Sequence, residues 1–284
     1  MTKKPRPKGK RWHRARRRYL PWIRYGAVLL SLLFLILNII VSPSEKPAPT
    51  PTAEPARRKA AVVDQIGLSY PNPELTDKAL VYLKDAGFDV DIYKARDITV
   101  EFYRTLPTKG YELILFRTHS TNILNETQRG PVFLFTSEPY DKHRYAQEQL
   151  ANQIGSAKVL YDDNAPLYFA VVSGFVRQGM IGRFEDTLII IAGCQSLGTL
   201  DMARALVERG ASAVIGWDEW VDLAHNDRAI LHLLEALTAE GLTVKQAVEK
   251  TMGEVGPDPT YNSVLTYFPP ERGDYTVGPA GPFP

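Results

Sequence analysis

Short, almost unbroken apolar runs alternate with longer segments of helical periodicity from residue 60 to residue 252. Examples of the runs are "AAVVDQIGL" at 60–68, "YELILFRTHS" at 111–120 and "TLIIIAG" at 187–193. β-branched residues without polar alternation favour strands that are buried on both faces. Between them, apolar positions recur at helical spacing, as in "PELTDKALVYLKDAG" at 73–87. This alternation predicts an α/β domain, a three-layer sandwich with a mainly parallel sheet.

The same criteria predict the remaining elements of this domain and an irregular tail. From residue 253 to residue 284, 12 of 32 residues are Gly or Pro, which favours irregular structure. Further strands are predicted at 88–95, 131–138, 158–163, 167–174 and 212–217, and further helices at 99–106, 144–154, 175–180, 200–211, 225–242 and 243–255.

An uncharged apolar segment, Tyr25–Val41, lies near the N-terminus. Its length fits a transmembrane helix, which needs roughly 17–25 residues. A dense basic cluster lies directly before it, so the positive-inside rule predicts a cytoplasmic N-terminus. We therefore expect a single-pass protein of the cell membrane with an extracytoplasmic C-terminal domain. A cleaved signal peptide is the alternative, but "NIIVSPSE" lacks an A-x-A-like site and contains Pro43.

Charge and proline content divide the rest of the N-terminal part. Residues 1–24 hold eleven Lys or Arg and no acidic residue, so the remainder has 23 basic and 32 acidic residues, a balance of −9. The basic head adjoins the predicted span and has few aromatics, which favours a role in topology over nucleic-acid binding. Residues 42–59 contain a Pro-rich stretch and predict an extended linker.

Two of the most apolar predicted strands end in side chains that can react. "LILFRTH" ends at His119, and "LIIIAG" is followed by Cys194, the only cysteine. Sites of open α/β sheets lie at the carboxyl ends of the strands, so neighbouring strands would bring imidazole and thiol together. A base beside a thiol is the arrangement that nucleophilic catalysis needs. Plain packing is the alternative, because free cysteine is often a small core residue.

Other features of the sequence narrow the chemistry. Gly193 allows a tight turn before the thiol, and the backbone N–H groups after Cys194, from Gln195 on, are placed to stabilise an oxyanion. No cysteine pair or His/acid spacing predicts a metal, and no Gly-rich phosphate loop predicts a nucleotide. We expect no cofactor.

The segments "RTHS" and "LIIIAGCQSLGTLDMARALVERGASAVIGWDEWV" resemble the caspase-like cysteine peptidases, above all those of the CHAT and separase type. The resemblance implies a caspase-like fold, with Cys194 as nucleophile and His119 as its acid/base partner. It also implies that the backbone N–H after the histidine holds the oxyanion. That residue is usually glycine in the family and is Ser120 here.

The resemblance further implies a protein or peptide substrate cut after a basic residue. Relatives commonly bind that side chain with acidic residues, and "GWDEWVD" offers Asp218, Glu219 and Asp222. A solvated acidic loop is the alternative.

Two other classes of function remain open from the sequence. A nucleophile elbow would take its histidine from further along the chain, where His225 is the candidate. An inactive, membrane-tethered α/β domain that binds a ligand or protein is the non-enzymatic alternative.

Overall fold

The computed structural model of the protein describes residues 58–125, 128–159 and 165–277, together with Leu33. Apart from Leu33, the predicted basic head, span and most of the linker lie outside these residues, as does the end of the tail. None of the helices that the structure describes is long and apolar enough to cross a membrane. The membrane topology therefore stays a prediction.

Strands and helices alternate along the described chain. The strands are β1 (Arg58–Asp64), β2 (Phe88–Lys94), β3 (Leu113–Arg117), β4 (Ser120–Asn125), β5 (Gln128–Pro139), β6 (Ile154–Ala157), β7 (Tyr168–Val171), β8 (Thr187–Ala192), β9 (Ala211–Trp217) and β10 (Leu265–Phe268). The helices are α1 (Pro73–Asp85), α2 (Val100–Thr105), α3 (Ala146–Leu150), α4 (Ser173–Gln178), α5 (Asp201–Glu208), α6 (Leu223–Thr238) and α7 (Val244–Glu254), with 3-10 turns at Ala95–Asp97, Leu106–Lys109 and Pro270–Arg272.

Polar side chains define where several helices begin. Asn72 accepts a hydrogen bond from the Leu75 amide at the start of α1, with Pro73 in the first helical position. Asp222 caps α6, and Thr243 caps α7. Such caps satisfy backbone N–H groups that a helix cannot pair internally, so local sequence fixes these boundaries.

The larger sheet has six strands in the order β10-β9-β8-β3-β1-β2. All its neighbours are parallel except β10, which pairs antiparallel with β9. The predicted α/β class with a mainly parallel sheet is thereby confirmed. Strands β3 and β8 are adjacent in the centre of the sheet, which decides the geometry of the candidate site.

Side chains of the central strands alternate between two apolar clusters, one on each face of the sheet. In β8, Ile189 and Ile191 join a cluster with residues of α2, α4 and α5, whereas Leu188 and Ile190 join a cluster with residues of α1, α6 and α7. Helices therefore cover both faces, and this explains why the strands are apolar at every position.

A second, antiparallel sheet has the strand order β4-β5-β7-β6. Leu134, Ile154 and Val171 of this sheet extend the first of the two clusters. Phe133 and Phe135 lie with Ala157 in a smaller cluster. The second sheet stands beside the carboxyl edge of β3, because β4 begins three residues after β3 ends.

Three parts of the prediction differ from the structure. The helix predicted at 144–154 ends at Leu150, because Asn152 takes a left-handed conformation that stops it. A strand forms at Ile154–Ala157. Of the strand predicted at 158–163, Lys158 and Val159 are not in a strand, and the other residues lie outside the described part of the chain. β4 was not predicted, and β10 forms within the tail that was expected to be irregular. These strands are short, and pairing with neighbours determines them more than their own pattern does.

Candidate active site

His119 and Cys194 follow the neighbouring parallel strands β3 and β8. The last paired residues are Arg117 and Ala192, so His119 and Cys194 each lie two residues further along. The Thr118 amide donates to the Ala192 carbonyl at 3.2 Å, which carries the pairing one residue past the strands. The imidazole and the thiol consequently line the same cleft.

The turn at Gly193 leaves no room for a side chain. A Cβ atom there would lie 2.5 Å from the Thr118 carbonyl oxygen and 2.5 Å from Ser120 Oγ. The Ser120 hydroxyl also donates to the Cys194 carbonyl at 2.6 Å. The segments that carry the histidine and the cysteine are thus packed directly against each other.

Replacement of Gly193 by alanine is expected to destabilise the protein by about 1–3 kcal/mol, since the backbone carbonyl cannot move away without separating the segments. Urea unfolding measures the effect. Gly253→Ala is the matched control: nothing lies within 4 Å of its added Cβ, and it stands in α7. Equal stability of both variants would show that the turn tolerates a side chain.

His119 is held by its backbone and surrounded by aromatic rings. Its amide donates to Gln65 Oε1 at 3.0 Å, and Gln65 Nε2 donates onward to the Thr136 carbonyl. The ring lies edge-on to Tyr70, with centroids 5.9 Å apart, and 5.7 Å from Phe135. Burial first, and then the positive charge of Arg117, lower the pKa of His119 to about 4. The imidazole is therefore neutral near pH 7 and available as a base.

Cys194 is a protonated thiol in this structure. Its Sγ donates to the Val221 carbonyl at 3.6 Å. Burial raises the pKa of the thiol, and the negative charges of Asp258 and Glu219 add to the effect. Among the described residues, no hydrogen bond joins Sγ to the His119 ring. The resting site accordingly holds a neutral thiol and a neutral imidazole on one cleft.

We expect iodoacetamide to alkylate Cys194 more slowly at pH 7 than it alkylates N-acetylcysteine, because only the thiolate reacts and burial disfavours it. The rate should rise with pH, and the midpoint of this rise should lie at a higher pH than for the small thiol. Each pKa unit by which the two thiols differ slows the reaction of Cys194 about tenfold at pH 7. Stopped-time mass spectrometry of the single thiol measures this rate. A rate already at its maximum at pH 7 would mean that His119 stabilises a thiolate.

The cleft has a volume of about 790 Å³ and mostly apolar walls. The second sheet supplies Phe133 and Phe135, the segment between β9 and α6 supplies Trp220, and the first residue of α6 is Leu223, which also lines the cleft. Lys158 is the only residue with a full charge among the described lining residues. This composition suits an apolar side chain better than a charged one.

The three acidic residues proposed for substrate binding do not line the cleft. Asp218 Oδ1 accepts from the Val264 amide at 2.8 Å and from Ser263 Oγ. Glu219 pairs with Arg129 and accepts from Gln195 Nε2. Asp222 caps α6. Each carboxylate therefore has a structural partner outside the cleft, and the expected acidic pocket is not formed by them.

The two residues proposed to hold an oxyanion differ in their environment. Ser120 lines the cleft, as expected. The Gln195 amide instead donates to the Glu219 carbonyl at 2.9 Å, so it is already paired in this conformation. Gln195 is fully buried, with a left-handed φ of 54°. A role of the Gln195 N–H in holding an oxyanion stays a prediction, and it would require this hydrogen bond to open.

His225, the alternative histidine, lies in another environment. Its Nε2 is 3.1 Å from the Gly256 carbonyl, and its Nδ1 is 3.1 Å from Arg228 Nη2. It is not among the residues that line the cleft. The arrangement expected for a nucleophile elbow with His225 is not present. Among the described residues, no cluster of three or more His, Cys, Asp or Glu is arranged to hold a metal.

Sequence reasoning missed Arg117 and Gln65, two buried polar residues near His119. Arg117 is 1% exposed and donates to Asp64 and to Asp227. A charged residue within the apolar run "LILFRTH" was the available signal, since a buried charge needs partners. Gln65 had no such signal, because a glutamine after a strand is common on surfaces.

Comparison with known proteins does not assign the site. No protein-family model matches this sequence, and none of the curated proteins matches it at a significant level. The interpretation of the site therefore follows from its geometry and its chemistry.

Proposed function

We propose that the chain is a caspase-like cysteine peptidase in which Cys194 is the nucleophile and His119 the acid/base. The observation that carries the proposal is the placement of both side chains on one cleft, at the same edge of adjacent parallel strands. A base and a thiol on one cleft are the two groups that covalent hydrolysis of an amide requires.

The reaction consists of two proton-balanced steps. Cys194 Sγ attacks the scissile carbonyl while its proton passes to the neutral His119 ring, which gives a tetrahedral intermediate. The C–N bond then breaks, and His119 returns the proton to the leaving amine, which leaves a thioester on Cys194. Water then attacks the thioester and loses a proton to His119. The C–S bond breaks, the acyl part leaves as a carboxylic acid, and the Cys194 thiolate takes that proton back.

The neutral resting state requires that proton transfer accompany attack. The pKa of His119 is lowered and that of Cys194 is raised, so a pre-formed thiolate and imidazolium are disfavoured. A bound substrate brings a developing oxyanion and displaces water, and both changes favour charge separation in the transition state. The Ser120 backbone at the cleft wall is the candidate oxyanion support, in keeping with the family resemblance.

The cleft supports a preference for an apolar residue on the acyl side of the cut. Phe133, Trp220 and Leu223 offer apolar walls, and no carboxylate is among the described lining residues. Cleavage after a basic residue, as the resemblance implied, would lack the acidic partner it needs.

The domain would work outside the cytoplasm, held near the membrane by a helix at residues 25–41. The support for this location is the sequence pattern alone: one apolar segment with all adjoining basic residues on its N-terminal side.

An inactive binding domain is the second candidate, and one observation favours it. The thiol donates to the Val221 carbonyl rather than to His119. A site of this form could keep its cleft for binding while it lacks an activated nucleophile.

The deciding experiment uses the full chain in detergent and its Cys194→Ala twin, each incubated with a peptide library varied on the acyl side. Cleavage that disappears in the twin supports the peptidase, and an apolar preference supports the cleft assignment. If neither protein cleaves, while a peptide still binds the cleft, the binding domain is the correct description.

A further inference from the structure

A second hollow of about 640 Å³ also has His119 in its lining. It shares Ile66, Tyr70, His119, Phe135 and Val159 with the cleft but does not reach Cys194. The two hollows therefore adjoin at these residues, and together we call them the groove. A groove of this kind holds an extended chain rather than a small amide.

The chemistry of the proposed reaction gives the groove a direction. The acyl part of the substrate becomes bonded to Cys194, so it must lie in the hollow that reaches the thiol. The leaving amine receives its proton from His119, so the segment behind it must continue past the imidazole. The second hollow, which is lined by His119 and not by Cys194, can receive that segment.

The lining of the second hollow combines apolar residues with Gln65, Ser69 and Ser137, and it contains one cation. Leu68 is 66% exposed there, beside Pro139 and Pro166. Arg96 is the only residue with a full charge among the described lining residues. Its exposed side chain makes no ion pair or hydrogen bond with the described part of the chain. The neighbouring Asp97 carboxylate instead accepts from the Lys94 amide.

We propose that this hollow is a leaving-side subsite, which binds an apolar residue after the scissile bond and an acidic residue within reach of Arg96. The inference rests on the proposed peptidase function and extends it to the substrate, an extended polypeptide segment of apolar and then acidic character. An exposed apolar residue beside a cation that has no partner among the described residues matches such a segment, since burial supplies affinity and the charge supplies selection.

The test compares three quenched substrates with the same apolar acyl side. One has only a dye as leaving group, one continues with Leu-Glu, and one continues with Leu-Lys. For the full chain we expect kcat/KM about tenfold higher for the Leu-Glu peptide than for the dye amide. That ratio equals about 1.4 kcal/mol of added transition-state binding. The Leu-Lys peptide should be several-fold poorer than the Leu-Glu peptide.

Arg96→Glu should reverse the order of the Leu-Glu and Leu-Lys peptides. Arg204→Glu is the matched control, because Arg204 is an exposed arginine on α5 that lines neither hollow. If cleavage depends on Cys194 but its kcat/KM changes neither with the leaving segment nor with Arg96→Glu, the subsite is wrong and the peptidase assignment stands. Absence of any Cys194-dependent cleavage would overturn the peptidase and, with it, the subsite.

Discussion

Arg117→Met is expected to lower the free energy of unfolding by about 3–5 kcal/mol, because it leaves buried carboxylates without their cation. Arg117 donates through Nε and Nη2 to the two oxygens of Asp227, at 2.9 and 2.8 Å. Its Nη1 donates to Asp64 at 3.0 Å and to the Tyr70 carbonyl at 2.9 Å. One side chain thus joins β3 to β1, to α6 and to the segment that carries Tyr70.

Urea unfolding at pH 7 measures this loss, and a triple variant is the control. Arg117→Met with Asp64→Asn and Asp227→Asn removes all three charges, so it should recover most of the stability. Methionine can fill much of the arginine volume without charge. A single variant that loses less than about 1 kcal/mol would show that the carboxylates are not charged in the native protein.

The pH dependence of the single variant has a definite sign. Burial raises the pKa of Asp64 even in the native protein, where Arg117 opposes the effect. Without the cation, the folded-state pKa of the Asp64 carboxyl rises further above its unfolded value. The stability of the variant is then fullest at acid pH and falls as the pH rises through that folded-state pKa. The loss of stability that Arg117→Met causes, relative to the native protein, should therefore be smallest near pH 4.

The sequence predicted the central sheet well because its strands are buried on both faces. The runs at 111–120 and 187–193 contain β3 and β8, and their apolar character follows from helices on both sides. Strands β4, β6 and β10 escaped prediction because they are short or lie outside the main sheet. The apolar residues of these segments do not recur with the period of two typical of strands or the period of 3.6 typical of helices.

The candidate site could be predicted only where strand ends determine it. His119 and Cys194 are adjacent because parallel strands end at one edge, which the sequence implies. The positions of Asp218, Glu219 and Asp222 depend instead on how a loop turns, and the loop points their carboxylates at Val264, Gln195 and the start of α6. Composition indicated an acidic segment, but backbone direction decides which side chains face a cleft.

His119→Ala is expected to reduce kcat/KM for peptide cleavage by about 10²–10⁴-fold, the usual contribution of a general acid/base. Cys194→Ala should reduce it to the background rate, since no other thiol exists in the chain. For the native protein, kcat/KM should rise through a pKa near 4, because His119 acts as a base only when neutral. In His119→Ala this acid limb should vanish, and the rate should follow the thiolate fraction upward with pH.

His143→Ala is the matched control, because His143 is an exposed histidine that does not line the cleft. It should keep the full rate and the limb near pH 4. The pH profile distinguishes a base from a structural residue. If His119 were only structural, its replacement would lower kcat/KM at every pH but would leave the rise near pH 4 in place. If His119→Ala kept more than about a tenth of the rate, another group would accept the thiol proton, and the assigned role of His119 would be wrong.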